Sequence, residues 1–153
     1  MIKTRVSDPG LTVLGKEFEE FGRRLGTKTP FPPPCFTTMR GEFLEYESRK
    51  SLKVSFPVTF GTLNPQAAMQ GGFIAAAFDN VFGPLSYLAA RGACTTLDIH
   101  TQFVRRIDEG DTLIITAEVV ARGSSTIYVT AEAVNSAHKL IATSSTNLLI
   151  VRS

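Results

Sequence analysis

Residues 70–90 leave this chain few ways to fold. Drawn as a helix, Phe73, Ile74, Ala75, Ala76, Ala77, Phe78, Val81, Phe82 and Leu85 leave no polar face. A helix that is apolar all round is buried on most sides, in a protein or a bilayer. A bilayer span wants about 20 mostly apolar residues with few charges, and Asp79, Asn80 and Pro84 interrupt this stretch. We therefore read a buried core helix and no membrane span. Such a helix needs a sheet that curls around it, and a second subunit is a further source of cover. Arg91 and Gly92 supply a C-terminal stop. Pro84 predicts a kink or a freed carbonyl.

The remaining pattern supplies that sheet. Leu52, Val54, Phe56, Val58 and Phe60 alternate with Ser51, Lys53, Ser55, Pro57 and Thr59, a strand with one buried face. Pro57 cannot donate to a ladder, which predicts an edge strand or a bulge. Residues 37–48 form its partner, with a turn at 49–51. After the helix, strands are expected over 95–104, 112–121, 125–134 and 140–151 in meander spacing, parted by turns at 108–111, 122–124 and 135–138. Antiparallel hairpins with segregated helices make an α+β fold.

Ahead of this body, Leu11, Leu14, Phe18, Phe21 and Leu25 fall on one helical face, and Gly26 ends the helix. Residues 27–34 hold four of the eight prolines, a stiff spacer. The chain thus divides into a helix and spacer over 1–35 and a main domain over 36–153. Hydrophobic residues at 43% and charged residues at 20% exclude a disordered chain. A net charge of +2 is too small to argue for nucleic acid. Cys35 and Cys94 fit neither a disulfide framework nor a zinc spacing. With no apolar signal core over residues 1–9, the expectation is a reduced, cytoplasmic protein.

Asp79 carries the most chemical information. A carboxylate among Phe78, Val81 and Phe82 should have a raised pKa, which suits a general base. The alternative is that Asp79 and Asn80 lie on the one face that meets solvent or a subunit boundary. Gln70-Gly71-Gly72 opens the helix, where exposed N–H groups and the helix dipole favour developing negative charge. The structural alternative is a tight loop with glycines chosen for backbone geometry. Asn64-Pro65 reads as a turn. Thr96 lies on the strand after the helix, on a polar face with Asp98, His100 and Gln102. His100 and His138 lack partners at metal-ligand spacing. Neither a metal nor a cofactor is expected.

Together these blocks resemble a known family. The run from Asn64 through Gln70-Gly71-Gly72 to Asp79 is similar to the signature of PaaI-type hotdog thioesterases: Asn, five residues, His-Gly-Gly, and an acidic residue seven after the second glycine. Thr96-Leu97-Asp98, Phe103-Val104-Arg105-Arg106 and Glu109-Gly110-Asp111 fit the same pattern, over about residues 43–151. The resemblance implies a long helix wrapped by an antiparallel sheet. It implies dimers or pairs of dimers with sites at the subunit interface, and acyl-CoA as substrate. By position, Asp79 matches the catalytic carboxylate, as general base or nucleophile. Gly71 matches the glycine whose N–H polarises the thioester carbonyl. Asn64 matches a polar residue near the thioester, and Thr96 a hydroxyl that places water or the carboxylate. Gln70 and Gly72 would contact substrate, and Arg122, Ser124 and Ser125 would lie near the CoA arm. Gln70 stands where the family usually has His, and Arg106 where proline is common. A Gln amide donates and accepts hydrogen bonds but carries no charge. The expectation is acyl-CoA hydrolysis. The alternative is a hotdog protein that binds acyl-CoA without cleaving it.

Overall fold

The computed structural model describes residues 9–26 and 30–151; residues 1–8, the first three positions of the proline spacer (27–29) and residues 152–153 lie outside it. Most of the stretch read for a signal core is therefore outside the described residues. The elements are α1 (Pro9–Leu25), α2 (Pro34–Thr38), β1 (Glu42–Glu47), β2 (Ser51–Pro57), α3 (Gly71–Ala90), β3 (Cys94–Phe103), β4 (Thr112–Arg122), β5 (Thr126–Val134) and β6 (Leu140–Ile150). The strands make one antiparallel sheet in the order β1-β2-β4-β5-β6-β3.

The sheet wraps α3, which packs on every strand from β2 to β6. Phe78, Val81, Phe82 and Leu85 meet Leu52, Val54, Phe56, Leu113, Ile115, Ile127 and Val129, all fully buried. By length and composition α3 would suit a bilayer, yet here it is the core helix under a sheet. It runs through Pro84 unbroken, so the Asn80 carbonyl loses its usual donor four residues on. At its end Arg91, not Gly92, takes the left-handed conformation (φ 57°), while the Gly92 N–H reaches back to the Tyr87 carbonyl.

Three expectations need correction. Residues 37–41 are not strand: α2 ends at Thr38, and β1 starts at Glu42. Gly41 is required there, because an added Cβ would sit 2.6 Å from the Phe36 ring. Pro57 marks neither an edge nor a bulge. It closes the interior strand β2 opposite Thr112, and the Val58 N–H takes the next bond, to the Asp111 carbonyl at 2.9 Å. The last four strands are not a simple meander. β3 pairs with β6 at the far edge, and β4 crosses back beside β2, where Leu113, Ile115 and Ala117 join the core.

α1 packs on β1 and α3, and its Leu11, Leu14 and Phe18 join the same core. Phe21 is half-buried, and Leu25 lies on the surface, where Gly26 stops the helix at φ 59°. Glu17 fastens α1 to the β1–β2 hairpin. Its carboxylate accepts from Tyr46 Oη and from Ser48 Oγ (2.8 Å) and faces Arg49 at 3.6 Å. A ladder of rings continues the join: Phe18 stacks on Phe31, Phe31 on Phe43, and Phe43 on Phe36.

Candidate active site

Asp79 does not sit in the core. It lies on the open side of α3, exposed, on a stripe with Gly72, Ala76 and Gly83. The burial on which a raised pKa was expected is not found within one chain. The helix turns Phe78 and Val81 under the sheet and leaves Asp79 facing out. This is the solvent or boundary face that the sequence offered as the alternative.

Thr96 joins it. Its hydroxyl donates to Asp79 Oδ1 at 3.2 Å. The contact depends on a bulge. The register of β3 against β6 slips between Thr96 and Asp98, so Leu97 is an extra residue. A bulge re-aims the side chains around it. Strict alternation would put Thr96 on one face with Asp98, His100 and Gln102, as the sequence suggested. Instead Thr96 turns to α3, while His100 and Gln102 line the outer face of the sheet with Thr116 and Glu118. Asp98 is held in place by the Asn147 backbone N–H and side chain, and these bonds keep its carboxyl below the usual range.

A second group gathers at the start of α3. The N–H groups of Gly71 and Gly72 have no carbonyl partner among the described residues, as the first turn of a helix dictates. Gln70 is the exposed cap residue, and its side chain makes no capping bond. The Phe103 ring lies over Gly71, where an added Cβ would come within 3.0 Å of it. This contact, 32 positions apart in the chain, had no signal in the sequence. Asn64 shapes the preceding loop: its Oδ1 accepts from the Gln66 and Ala68 N–H groups at 2.9 and 3.2 Å. That frees Ala67 to take a left-handed φ of 58°. Arg106 holds the loop from outside, donating to the Gln66 carbonyl and to Asp108.

These groups do not converge in one chain. Gly71 and Asp79 are eight residues apart on one helix, about 12 Å along its axis. Arg122, Ser124 and Ser125 are at the other end. Arg122 donates to the Ala90 carbonyl at 3.3 Å, a cation at the negative end of the helix, and both serines are exposed in the β4–β5 turn. Only Asp79 and Thr96 touch. Beside them a cavity of about 430 Å³ opens between α1, the proline spacer, α3 and β3.

Both cysteines are unpaired, Cys35 exposed and Cys94 buried. Burial pushes the Cys94 thiol up, against the side-chain hydrogen bond with Ser86 and the charge of Arg122, which leaves it a poor nucleophile. Among the described residues no group of three His, Cys, Asp or Glu side chains is placed to hold a metal.

The sequence model of the thioesterase superfamily matches residues 68–142, which include the start of α3, Asp79 and Thr96. No curated protein sequence matches the chain. Among solved structures, it is similar to the Escherichia coli PaaI protein of the phenylacetic acid degradation operon, with a TM-score of 0.78, 20% identity, and 92% of this chain and 97% of that one covered. It is similar to a phenylacetic acid degradation-related protein of Ralstonia eutropha JMP134, with a TM-score of 0.72, 28% identity, and 85% and 98% covered. A Streptococcus mutans UA159 protein with acetyl CoA bound matches with a TM-score of 0.70 and 21% identity, covering 73% and 89%. The family match over residues 68–142 and the sheet-wrapped helix give the chain the fold of PaaI-type hotdog thioesterases and a thioesterase-superfamily sequence across the start of α3, Asp79 and Thr96.

Proposed function

We propose that the protein hydrolyses an acyl-CoA thioester to a carboxylic acid and free CoA, at a site built from two copies of the chain. The observation that carries this reading is the placement of Asp79. It is an exposed carboxylate, the one charged side chain of α3, bonded to Thr96, and it lines a largely apolar cavity. Asp79 accepts a proton from water as the water oxygen attacks the thioester carbonyl carbon. Alternatively, its own oxygen attacks, and water then hydrolyses the mixed anhydride. Either way the carbonyl oxygen gains charge, which the free N–H of Gly71 stabilises. The C–S bond breaks, CoA leaves as thiolate and takes up a proton.

The separation of about 12 Å along α3 means one thioester cannot meet both Gly71 and Asp79 of the same chain. A second copy resolves this. The edge strand β3 and the segment after it carry exposed Leu97, Phe103 and Val104, and the open stripe of α3 is made of small residues. An apolar sheet edge beside small residues suits close approach by another chain. In that pairing Asn64, Gln70 and Gly72 belong with Gly71 around the carbonyl, and Arg122, Ser124 and Ser125 receive the CoA arm. The two free thiols favour a reducing, cytoplasmic setting.

Free-thiol release from a panel of acyl-CoA thioesters tests the reading, with Asp79→Asn as control. A general base contributes about 10²–10⁴-fold, so turnover should fall by at least that much while the fold melts as before. Near-normal turnover in the variant would sink the assignment. Gln70 favours one rival: an uncharged amide where the family usually has His suits a protein that holds acyl-CoA uncleaved. Binding of CoA with no thiol release across the panel would establish that rival.

A further inference from the structure

The cavity beside Asp79 is walled in part by residues from outside the region of family resemblance. Phe18 and Phe21 come from α1 and Phe31 from the proline spacer; Tyr87 comes from α3. Asp79 and Thr96 lie in its lining, and Tyr87 is eight residues beyond Asp79, about 12 Å along the helix. There Tyr87 stacks with Phe21, ring centroids 5.3 Å apart. The same two rings also line a smaller groove of about 190 Å³ with Glu20, Arg24 and Arg91. The Phe21–Tyr87 pair is therefore a partition, apolar on the Asp79 side and charged on the other. It is braced: Glu17 ties α1 to the β1–β2 hairpin, and Phe18 stacks on Phe31 with centroids 3.5 Å apart.

We propose that this cavity holds the acyl group of the substrate, and that Phe21 and Tyr87 set its maximum length. The inference rests on the acyl-CoA reading above. An apolar acyl group extends from the thioester at Asp79 toward the partition, with its far end against the two rings. A chain longer than about 12 Å would have to displace the stack and put methylenes among charged side chains, so medium acyl groups are accepted and long ones refused. Phe21 and Tyr87 are specificity-determining residues remote from the bond that breaks.

The test measures kcat/KM over straight-chain acyl-CoAs from butanoyl to hexadecanoyl in the wild type, Phe21→Ala, Tyr87→Ala and Phe21→Leu. Thermal melting confirms that each variant is folded. The expected result is a drop of about tenfold or more between octanoyl and hexadecanoyl in the wild type. Both alanine variants should lose that drop, their octanoyl-to-hexadecanoyl ratio of kcat/KM approaching one, and Phe21→Leu should restore most of it. An unchanged length profile in an active enzyme would overturn the inference and leave the hydrolase reading intact. A second readout needs no turnover. Cys35 lines the cavity and is the exposed one of the two cysteines. A non-hydrolysable thioether analogue of octanoyl-CoA should slow its alkylation by iodoacetamide, and the hexadecanoyl analogue should do so only in the alanine variants. Protection without thiol release would uphold the cavity and refute the hydrolase. A saturating analogue that leaves Cys35 reactive would overturn the cavity assignment.

Discussion

The two long faces of α3 differ in side-chain size and are opposite in fate. One face carries Phe78, Val81, Phe82 and Leu85, all fully buried under the sheet. The other carries Gly72, Ala76, Asp79 and Gly83 and lies open. The difference is volume. Large side chains fill the hollow of the curved sheet, where each gains many close contacts. Small ones leave a shallow strip that the sheet does not cover among the described residues. The helix therefore carries two strips, one buried by its own sheet and one that this sheet leaves open.

The comparison breaks most severely on the filled face. Phe82→Ala should cost about 3–5 kcal/mol of stability, read by denaturant unfolding, because the sheet cannot collapse onto the space. A loss under 1 kcal/mol would mean the face is looser than its full burial indicates. On the open face the same helix should tolerate change. Ala76→Glu should leave the unfolding of the chain close to wild type, while like charges meeting across a pair of copies cost several kcal/mol. Sedimentation should show a smaller species, and hydrolysis should fall with it. An unchanged species would remove this face from the interface.

Smaller effects test how α1 is held beside the open face. Tyr46→Phe removes the donor to Glu17 and should cost about 1.5–3 kcal/mol at neutral pH, as for a hydrogen bond to a charged group. Burial first, and then the bond to Glu17, pushes the Tyr46 phenol up to about 12 from 10.0. The neutral phenol is the form the fold favours. Its contribution is complete below pH 10 and is lost as pH rises toward 12, so the gap between wild type and variant should close over that window. A gap constant with pH would separate Tyr46 from the anchor.

The smallest change lies farthest from α3. Asp111 Oδ1 accepts from the Thr112 N–H, the Ser136 N–H and Ser136 Oγ at 2.7, 3.2 and 2.6 Å. Partial burial raises its pKa, but these bonds outweigh it and hold the carboxyl below its ordinary value. Asp111→Asn should cost about 1 kcal/mol at pH 7. A carboxylate with a depressed pKa stabilises above its unfolded pKa and ceases to do so as pH falls through the folded one. Melting at pH 7 and pH 3 should show the deficit only at pH 7.

Much of the fold was legible in the chain. The alternation of Leu113, Ile115 and Ala117 and of Ile127, Val129, Ala131 and Ala133 marked β4 and β5. The 3–4 spacing of Leu11, Leu14 and Phe18 marked α1, and Gly26 its end. These signals act within a turn or a pleat, so neighbours alone carry them. The family match begins after Asn64 and spans the start of α3, Asp79 and Thr96. Less was legible where distant segments meet. For Asp79 the sequence left two settings open, apolar or solvent-facing, and the structure selects the second, because sequence neighbours such as Phe78 and Val81 are not spatial neighbours on a helix. Thr96 was assigned to the wrong face because one extra residue, Leu97, reverses the alternation.

By itself, then, the sequence determined that a long apolar helix would be covered by an antiparallel sheet, and which residue types would stand at its start and middle. Hydropathy period, turn residues and helix ends are local and survive in any context. Tertiary structure alone decided that β3 would join β6 at the edge, that its bulge would turn Thr96 to Asp79, and that α1 would wall the cavity between them. Those outcomes depend on contacts between residues tens of positions apart, set by which pairing buries the most surface, and no local pattern encodes that choice.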